Sequence, residues 1–232
     1  RRTLTAHEAA VWDVDFCPRS SKAVREAPRL ASVSSDRTVR LWQADGTPIE
    51  RFETDAPMLG VDCSDNGIHI AASGKDRAVR LWKPDGTFLR MLKEHRGAIR
   101  DVALSANGLM AASASDDGIV KLWRRNTNLL YPMHGHEDTI WGIEVSPDGK
   151  TIVSVSEDNS IRLWNPDGTP MAQLSPFAGD IGFSPDSRIL VAGGDSKIRK
   201  FDLFPRGDGI ESQPIDEFHA HNGTIFAIAV SP

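Results

Sequence analysis

The fold is decided by one short stretch, which runs Glu157-Asp158-Asn159-Ser160 and then Ile161-Arg162-Leu163-Trp164. In the second half, the arginine points one way and its neighbours point the other, and this period of two predicts a β-strand. The turn phrase Asp167-Gly168-Thr169 follows. Asp-Gly between two strands is typical of a tight hairpin turn. The stretch therefore predicts a turn, a strand and a second turn.

The same phrase returns along the chain. Trp42, Trp82, Trp123 and Trp164 are separated by 40, 41 and 41 residues, and a fifth copy ends at Phe201. An aspartate lies six residues before each of these aromatics: Asp36, Asp76, Asp117, Asp158 and Asp195. Further turn phrases follow the same period, among them Ser64-Asp65-Asn66-Gly67 and Ser146-Pro147-Asp148-Gly149. Three turns and four strands in about 40 residues are typical of a β-propeller blade.

These repeats resemble the WD40 family. A full copy of its motif runs from Gly135-His136 through Ser154 and Asp158 to Trp164, although the residue after each tryptophan is Gln43, Lys83, Arg124 or Asn165 instead of aspartate. The ending Leu-Trp-x-x-Asp-Gly-Thr is similar to repeats common in bacterial, especially cyanobacterial, members. The resemblance implies an all-β propeller with four-stranded antiparallel blades, about five of them complete, plus flanking strands.

We expect a single WD40 region over residues 1–232, with blades at 6–52, 53–92, 93–133, 134–174 and 175–218. Residues 219–232 are expected to supply the first strand of a sixth blade, and Arg2 to Thr5 an outermost strand. A propeller avoids open sheet edges only by closing its ring. Because the family usually closes with seven blades, we expect this chain to be a piece of a longer protein.

The resemblance also implies a structural hydrogen-bonded tetrad of His, Ser, Asp and Trp in each complete blade. The residues are His7, Ser32, Asp36 and Trp42; His95, Ser113, Asp117 and Trp123; His136, Ser154, Asp158 and Trp164. The serine could instead be the one two residues before the aspartate, which is Ser34, Ser115 or Ser156. The second repeat lacks the histidine and the fifth lacks both histidine and tryptophan, so we expect these two blades to be looser.

In the family, one rim of the central channel is lined by two residues per blade. One is the second residue of the innermost strand, and the other precedes the turn aspartate. Mapped here, the candidate partner-binding residues are Trp12, Ser35, Lys75, Arg100, Asp116, Trp141, Glu157 and Phe226. Large aromatics and arginine are typical of protein-binding hot spots. Alternatively, Trp12 and Trp141 simply pack between blades.

Composition excludes several classes of function. The 232 residues include 27 Lys and Arg against 32 Asp and Glu, a net charge of −5, which argues against a nucleic-acid surface. The longest apolar run, Ile225 to Val230, is far shorter than a membrane span of about 20 residues. Cys17 and Cys63 have neither metal-site spacing nor a disulfide framework. We expect two free thiols in a reducing compartment and place the chain in the cytoplasm.

No catalytic motif, phosphate-binding loop or cofactor motif is recognisable, so we predict no enzyme activity, no cofactor and no metal. Same-side histidine pairs can bind zinc, and His134/His136 and His219/His221 are such pairs. However, the second member of each pair sits where the family has its structural histidine, and no third ligand recurs nearby.

The function predicted from the sequence is a non-catalytic scaffold that binds a protein or peptide on the channel rim. Asp116 and Glu157 beside Trp141 favour a ligand that carries Arg or Lys, by charge pairing and cation–π contact. Other domains of a longer chain are also expected partners. The alternative is a sensor or regulatory propeller of a larger bacterial signalling or defence ATPase or kinase. A hydrolase is a third hypothesis, against which stands the absence of a nucleophile–base pair in the sequence.

Overall fold

The structure is a computed structural model, and it describes residues 3–18, 29–124, 130–175, 178–203, 210 and 213–230. Within these residues all regular structure is β-sheet, and no helix is long and apolar enough to cross a membrane. The strands of the first two sheets are β1 (Val11–Cys17), β2 (Arg29–Ser34), β3 (Thr38–Gln43), β4 (Pro48–Glu53), β5 (Met58–Cys63), β6 (Ile70–Gly74), β7 (Ala78–Trp82) and β8 (Phe88–Lys93).

Three further sheets follow in the same order along the chain. Their strands are β9 (Ile99–Leu104), β10 (Met110–Ser115), β11 (Val120–Arg124), β12 (Leu130–Met133), β13 (Ile140–Val145), β14 (Ile152–Ser156), β15 (Ile161–Trp164), β16 (Pro170–Leu174), β17 (Ala178–Phe183), β18 (Ile189–Gly194), β19 (Lys197–Asp202) and β20 (Asp216–His219). In every sheet the four strands are neighbours in chain order, from β1-β2-β3-β4 to β17-β18-β19-β20. The five four-stranded meanders confirm the predicted all-β, WD40-type blades.

The predicted turns explain why each sheet is a meander. Gly46, Gly86 and Gly168 of the Asp-Gly-Thr phrases have φ of 87°, 88° and 88°, which a residue with a Cβ rarely adopts. The aspartate side chain accepts the threonine N–H two residues later, as at Asp45–Thr47, where N···O is 2.9 Å. The last two strands of a sheet therefore join through a tight turn, as the sequence predicts.

The chain divides into two compact units, residues 1–113 and 114–232. In the first unit, the buried cluster joins alternate residues of neighbouring sheets, such as Val33, Leu41, Met58 and Ile70. In the second unit, the corresponding cluster includes Val155, Leu163 and Phe201. Burial of apolar side chains between sheets supplies the driving force for folding and holds the strand ends, where the candidate site lies, on a rigid support.

The flanking segments belong to no sheet. Residues 3–5 of the outermost strand expected at Arg2–Thr5 pair with no strand, and residues 224–230 do not pair within a sheet either. The latter segment nevertheless lies beside β17 and β18, because Ile225 N–H donates to Gly194 O at 2.7 Å and Ile228 N–H donates to Asp180 Oδ2 at 2.6 Å. It occupies the side of the fifth sheet on which an inner strand of a further blade would pack.

Candidate functional site

A β-bulge presents the expected rim residue on the inner strand of a sheet. The pairing register shifts between Val11 and Asp13 and again between Ile140 and Gly142, so Trp12 and Trp141 are the extra residues. Leu59 and Gly179 occupy the same position in β5 and β17. A bulge redirects its side chain out of the alternation of the strand. Trp141 is accordingly 39% exposed, although Ile140 beside it is fully buried. Trp12 is 56% exposed on a strand that is itself mostly exposed, and Leu59 is buried.

The second set of expected rim residues follows the second strand of each sheet. Their backbone N–H groups donate to carbonyl oxygens of the loop that leads into the same blade: Ser35 to Ala10 at 2.9 Å, Lys75 to Pro57 at 3.0 Å and Glu157 to Thr139 at 2.9 Å. Asp116 directly follows β10 and is half-buried. These bonds hold the second rim residue beside the loop that ends in the bulge.

The structure brings two of the expected rim residues into direct contact. The indole Nε1–H of Trp12 donates to Ser35 Oγ at 2.6 Å. Lys75 and Arg100 lie in the same first unit, at the positions equivalent to Ser35 and Trp12. Asp116, Trp141, Glu157 and Phe226 lie in the second unit, where Phe226 is 78% exposed.

The first blade contains a complete hydrogen-bonded tetrad. His7 Nδ1 lies 2.8 Å from Asp36 Oδ2, and His7 Nε2 lies 2.8 Å from Ser32 Oγ. The Nε1–H of Trp42 donates to the same Ser32 Oγ at 2.9 Å. Ser34 is not part of this chain, since its hydroxyl donates to Ala9 O at 3.2 Å. The tetrad joins the loop before β1 to β2 and β3.

The fourth blade repeats this geometry. His136 Nδ1 lies 2.8 Å from Asp158 Oδ2, His136 Nε2 lies 2.8 Å from Ser154 Oγ, and Trp164 Nε1–H donates to Ser154 Oγ at 2.9 Å. Burial lowers the pKa of His136, although the hydrogen bond and charge of Asp158 oppose this shift. The imidazole is therefore neutral at pH 7: Nδ1–H donates to Asp158, and Nε2 accepts the Ser154 proton.

The aspartates of these tetrads are held in the ionised state. Burial tends to raise the pKa of Asp158, but the hydrogen bonds from Ser160, His136 and the Glu137 N–H outweigh it and lower the pKa to about 2. The pKa of Asp36 is also lowered, since hydrogen bonds from Thr38, His7 and the Glu8 N–H outweigh its burial.

In the third blade, the residues expected to form a tetrad are divided between the two units. His95 Nε2 lies 2.8 Å from Ser113 Oγ in the first unit. Asp117 and Trp123 belong to the second unit, where Asp117 Oδ1 accepts the Ile119 N–H at 3.1 Å. Ser115 is bonded differently from Ser113, since its Oγ accepts the Asp117 N–H at 3.2 Å.

The two blades without the histidine use an arginine in its place, which the sequence analysis missed. In the second blade, Arg80 donates to both carboxylate oxygens of Asp76, at 3.2 and 2.5 Å. In the fifth blade, Arg199 donates to Asp195 at 2.9 Å and to Glu217 at 2.7 Å. Both arginines are almost completely buried. Arginine stands four residues after the turn aspartate in the first and fourth repeats too, so only the missing histidine distinguishes these two blades in the sequence.

Carboxylates on the inner strands form a further feature that the sequence analysis missed. Four of them accept N–H groups on the free edge of the next inner strand: Asp13 from Val61, Asp15 from Cys63, Asp62 from Leu104 and Glu144 from Phe183. Asp180 accepts the N–H of Ile228, which lies in the unpaired segment 224–230. These backbone donors have no strand to pair with, so a side-chain acceptor satisfies them. Burial raises the pKa of Asp15 to about 6.

Cys17 and Cys63 form a disulfide, so the expectation of two free thiols is wrong. Cys17 ends β1, Cys63 ends β5, and the two Cα atoms are 5.0 Å apart. Both residues are buried in the core of the first unit. Their separation of 46 residues did not indicate a bond, because only the packing of one inner strand beside the next brings them together.

The histidine pairs considered for zinc have no further ligands grouped with them among the described residues. His134, His219 and His221 are exposed, and His136 is held in its tetrad. Among the residues described, no three His, Cys, Asp or Glu side chains are grouped so that they could hold a metal ion.

The repeated sheets, the tetrads and the bulged rim define a WD40 propeller region, and the chain belongs to the WD40 family. The family model, described as WD domain, G-beta repeat, matches residues 1–43, 46–83, 86–124, 127–165 and 176–202. Each match ends one residue after the repeating aromatic, from Trp42 to Phe201. A search of the curated proteins found no match. WD40 domains generally act as protein-interaction scaffolds.

Proposed function

We propose that the chain is a non-catalytic scaffold that binds a protein or peptide through the channel-rim residues of its blades. The observation that carries this proposal is the exposure of the bulged Trp141 on β13, a strand whose other residues are buried or half-buried. Trp12 is the equivalent bulged residue of β1, a strand that is itself mostly exposed. Exposed tryptophans on a rigid support are the kind of residue that dominates protein interfaces. The exposure of Trp141 supports this role over packing between blades.

For the second unit we propose a ligand segment that carries Arg or Lys. Trp141 offers a half-exposed aromatic surface, and Glu157 and Asp116 add negative charge at the ends of β14 and β10. A guanidinium or ammonium group gains from stacking on an aromatic ring and from a nearby carboxylate. The backbone bond from Glu157 to Thr139 ties the acid to the loop that leads into Trp141.

Two observations support a non-catalytic role. Both ring nitrogens of His7 and of His136 are engaged in tetrads, so neither ring is available to a substrate. The raised pKa of Asp15 belongs to a partly buried carboxylate that accepts the Cys63 N–H. Groups held in this way stabilise the fold and have no free position for proton transfer.

We propose other domains of a longer parent chain as additional partners, and as the alternative function a sensor or regulatory propeller of a larger bacterial signalling or defence ATPase or kinase. The cytoplasmic location stays a prediction, and the Cys17–Cys63 disulfide counts against it, because such bonds are rare in reducing compartments. The sequence of the parent protein tests the ATPase or kinase alternative. A phosphate-binding loop upstream of this region supports that alternative, and the absence of such a loop contradicts it.

The scaffold proposal is tested with a fluorescein-labelled hexa-arginine peptide and fluorescence anisotropy. We expect Trp141→Ala, and Trp12→Ala/Trp141→Ala, to weaken binding by about ten-fold or more while the circular dichroism spectrum stays unchanged. Phe88→Ala is the matched control, since Phe88 is an exposed aromatic (51%) on the outer strand β8. If the tryptophan variants unfold, the side chains belong to the core. If Phe88→Ala weakens binding equally, the peptide does not bind the rim.

A further inference from the structure

Three cations of the first unit lie at the turns that join the second and third strands of its first two blades. Lys75 directly follows β6, and Arg37 and Arg77 each follow the turn aspartate of their blade. All three are exposed. In the part of the chain that the structure describes, their side chains form no ion pair and no hydrogen bond. Their charges are therefore available to a ligand.

The carboxylates of the same turns are already engaged. Asp36 is bonded to His7, and Asp76 is bonded to Arg80. Asp55 lies 3.7 Å from the same Arg80. The side chain of Asp55 is nevertheless 93% exposed, and Glu8, also exposed, is the other carboxylate of the two loops that lead into these blades. Three exposed cations thus stand against two exposed carboxylates at the turns and loops of the first two blades, an excess of positive charge opposite in sign to Glu157 and Asp116 of the second unit.

Backbone hydrogen bonds connect this basic group to the Trp12–Ser35 pair. Arg37 lies two residues after Ser35, and its carbonyl oxygen accepts both the N–H and the hydroxyl of Thr54 at 2.9 Å. Three residues later, Pro57 O accepts the Lys75 N–H at 3.0 Å. The turns of both blades are thus bonded to one short loop, residues 54–57, and the turn of the first blade is also bonded to Trp12 through Ser35.

The arginines occupy positions where the backbone favours other residues. Arg37 and Arg77 have φ of 65° and 63°, in the left-handed region. The equivalent residues of the third and fourth blades are Gly118 and Asn159, with φ of 72° and 65°. Glycine and asparagine adopt this conformation readily, whereas a long side chain is strained there. The turn therefore does not require arginine at either position.

We propose that this surface, made of Trp12, Ser35, Arg37, Lys75 and Arg77, binds a segment of a protein partner rich in glutamate or aspartate. The guanidinium groups provide paired donors that match a carboxylate. Ser35 adds a donor, because its oxygen accepts the Trp12 N–H and its own proton has no acceptor among the described residues. The proposal rests on rim binding, and it assigns the first unit a ligand of opposite charge to that of the second.

The test measures binding of a fluorescein-labelled hexaglutamate peptide by fluorescence anisotropy at low salt. The informative variant is Arg37→Asn/Arg77→Asn, which removes two charges and places a favoured residue at each left-handed position. We expect binding to weaken about ten-fold or more, while the unfolding temperature stays unchanged or rises. Arg51→Asn/Lys93→Asn is the matched control, since it removes two exposed charges from the outer strands β4 and β8. It is expected to change binding less than about two-fold.

Three results would overturn the proposal. The first is that hexaglutamate fails to bind the wild-type protein. The second is that the outer-strand control loses as much affinity as the turn variant. The third is that a six-nucleotide oligothymidylate binds as tightly as hexaglutamate and with the same dependence on Arg37 and Arg77. The last result would indicate a nucleic-acid partner. Binding of hexa-arginine to the same variants separates this proposal from the general one. If hexaglutamate binds at the turns and hexa-arginine binds nowhere, the acidic ligand stands and the basic one fails.

Discussion

The indole N–H of Trp12 donates to Ser35 Oγ at 2.6 Å, and this bond joins a bulged residue of the first strand to the residue that follows the second. Both partners lie at the surface, where water competes for the same groups. Ser32, three residues earlier, is buried and bonded to Trp42 and His7. The two serines of one blade therefore divide into a structural residue and a rim residue.

This division predicts two different stability effects. We expect Ser35→Ala to change the free energy of unfolding by less than about 0.5 kcal/mol, as at other surface positions. Ser32→Ala leaves the buried Trp42 N–H without its acceptor and is expected to cost about 1–3 kcal/mol. Urea denaturation of the two variants measures both values. Equal losses would show that the Trp12–Ser35 bond is part of the core.

The arginine of the second blade replaces the missing histidine. We therefore expect removal of this arginine to destabilise the fold more than removal of the equivalent arginine of the first blade. Arg80 is buried and bonded to Asp76, whereas Arg40, at the same register position of the first blade, has a buried Nε without a partner. We expect Arg80→Ala to lower the free energy of unfolding by about 3 kcal/mol, because Asp76 loses its counter-ion. Arg40→Ala is expected to cost about 1 kcal/mol. Similar costs in urea denaturation would refute the replacement.

The inner-strand carboxylates predict a dependence on pH. Burial raises the pKa of Asp15 to about 6, and burial together with the charge of Asp15 raises the pKa of Asp62. The raised pKa means that, between about pH 4 and 6, the folded chain holds protons that the unfolded chain has released. The contribution of Asp15 to stability is therefore lost as pH rises through this window.

Asp15→Asn isolates this contribution, since an amide oxygen still accepts the Cys63 N–H without a charge. We expect the variant to be more stable than the wild type by roughly 1–3 kcal/mol near pH 7.5, and the difference to vanish towards about pH 4. Urea denaturation over this range checks it. A difference independent of pH, or a loss of stability near pH 7.5, would contradict a raised pKa at Asp15.

The Cys17–Cys63 disulfide predicts a dependence on reductant. It closes a loop over a separation of 46 residues. By the chain-entropy argument, its reduction is expected to lower the free energy of unfolding by about 2–4 kcal/mol. Thermal unfolding with and without a phosphine reductant measures the change, and Cys17→Ser/Cys63→Ser serves as the control that reductant does not affect. If iodoacetamide labels both cysteines in unreduced, urea-unfolded protein, the thiols are free.

Structural features that depend on neighbouring residues in the sequence were predictable, whereas features that depend on packing between sheets were not. The third strand Ile161–Trp164 and the Asp-Gly-Thr turns follow from the alternation and from glycine at a left-handed position. The bulges at Trp12 and Trp141 depend on how two strands pair, so the family resemblance identified these positions but the alternation did not. The Cys17–Cys63 bond depends on the approach of neighbouring sheets.

The ion pairs of Arg80 and Arg199 could not be predicted from the sequence either. The absence of histidine from the second and fifth repeats was visible in the sequence and was interpreted as a loss of contacts. Phe201 has no N–H, and the residue equivalent to the tetrad serine in that blade is Ala192, so donor and acceptor disappear together. Whether Arg80 or Arg199 turns towards its aspartate depends on the space left by the missing histidine, which spacing alone does not describe.

Mapping where a basic peptide makes contact tests the scaffold account most directly. A hexa-arginine peptide with a benzophenone group is photo-cross-linked to the protein, and the modified residues are identified by mass spectrometry. The account predicts cross-links at Trp141 and in the neighbouring loops of residues 134–139 and 156–160, and their loss in Trp141→Ala. Cross-links on the outer strands β8 or β16 that persist in Trp141→Ala would contradict it.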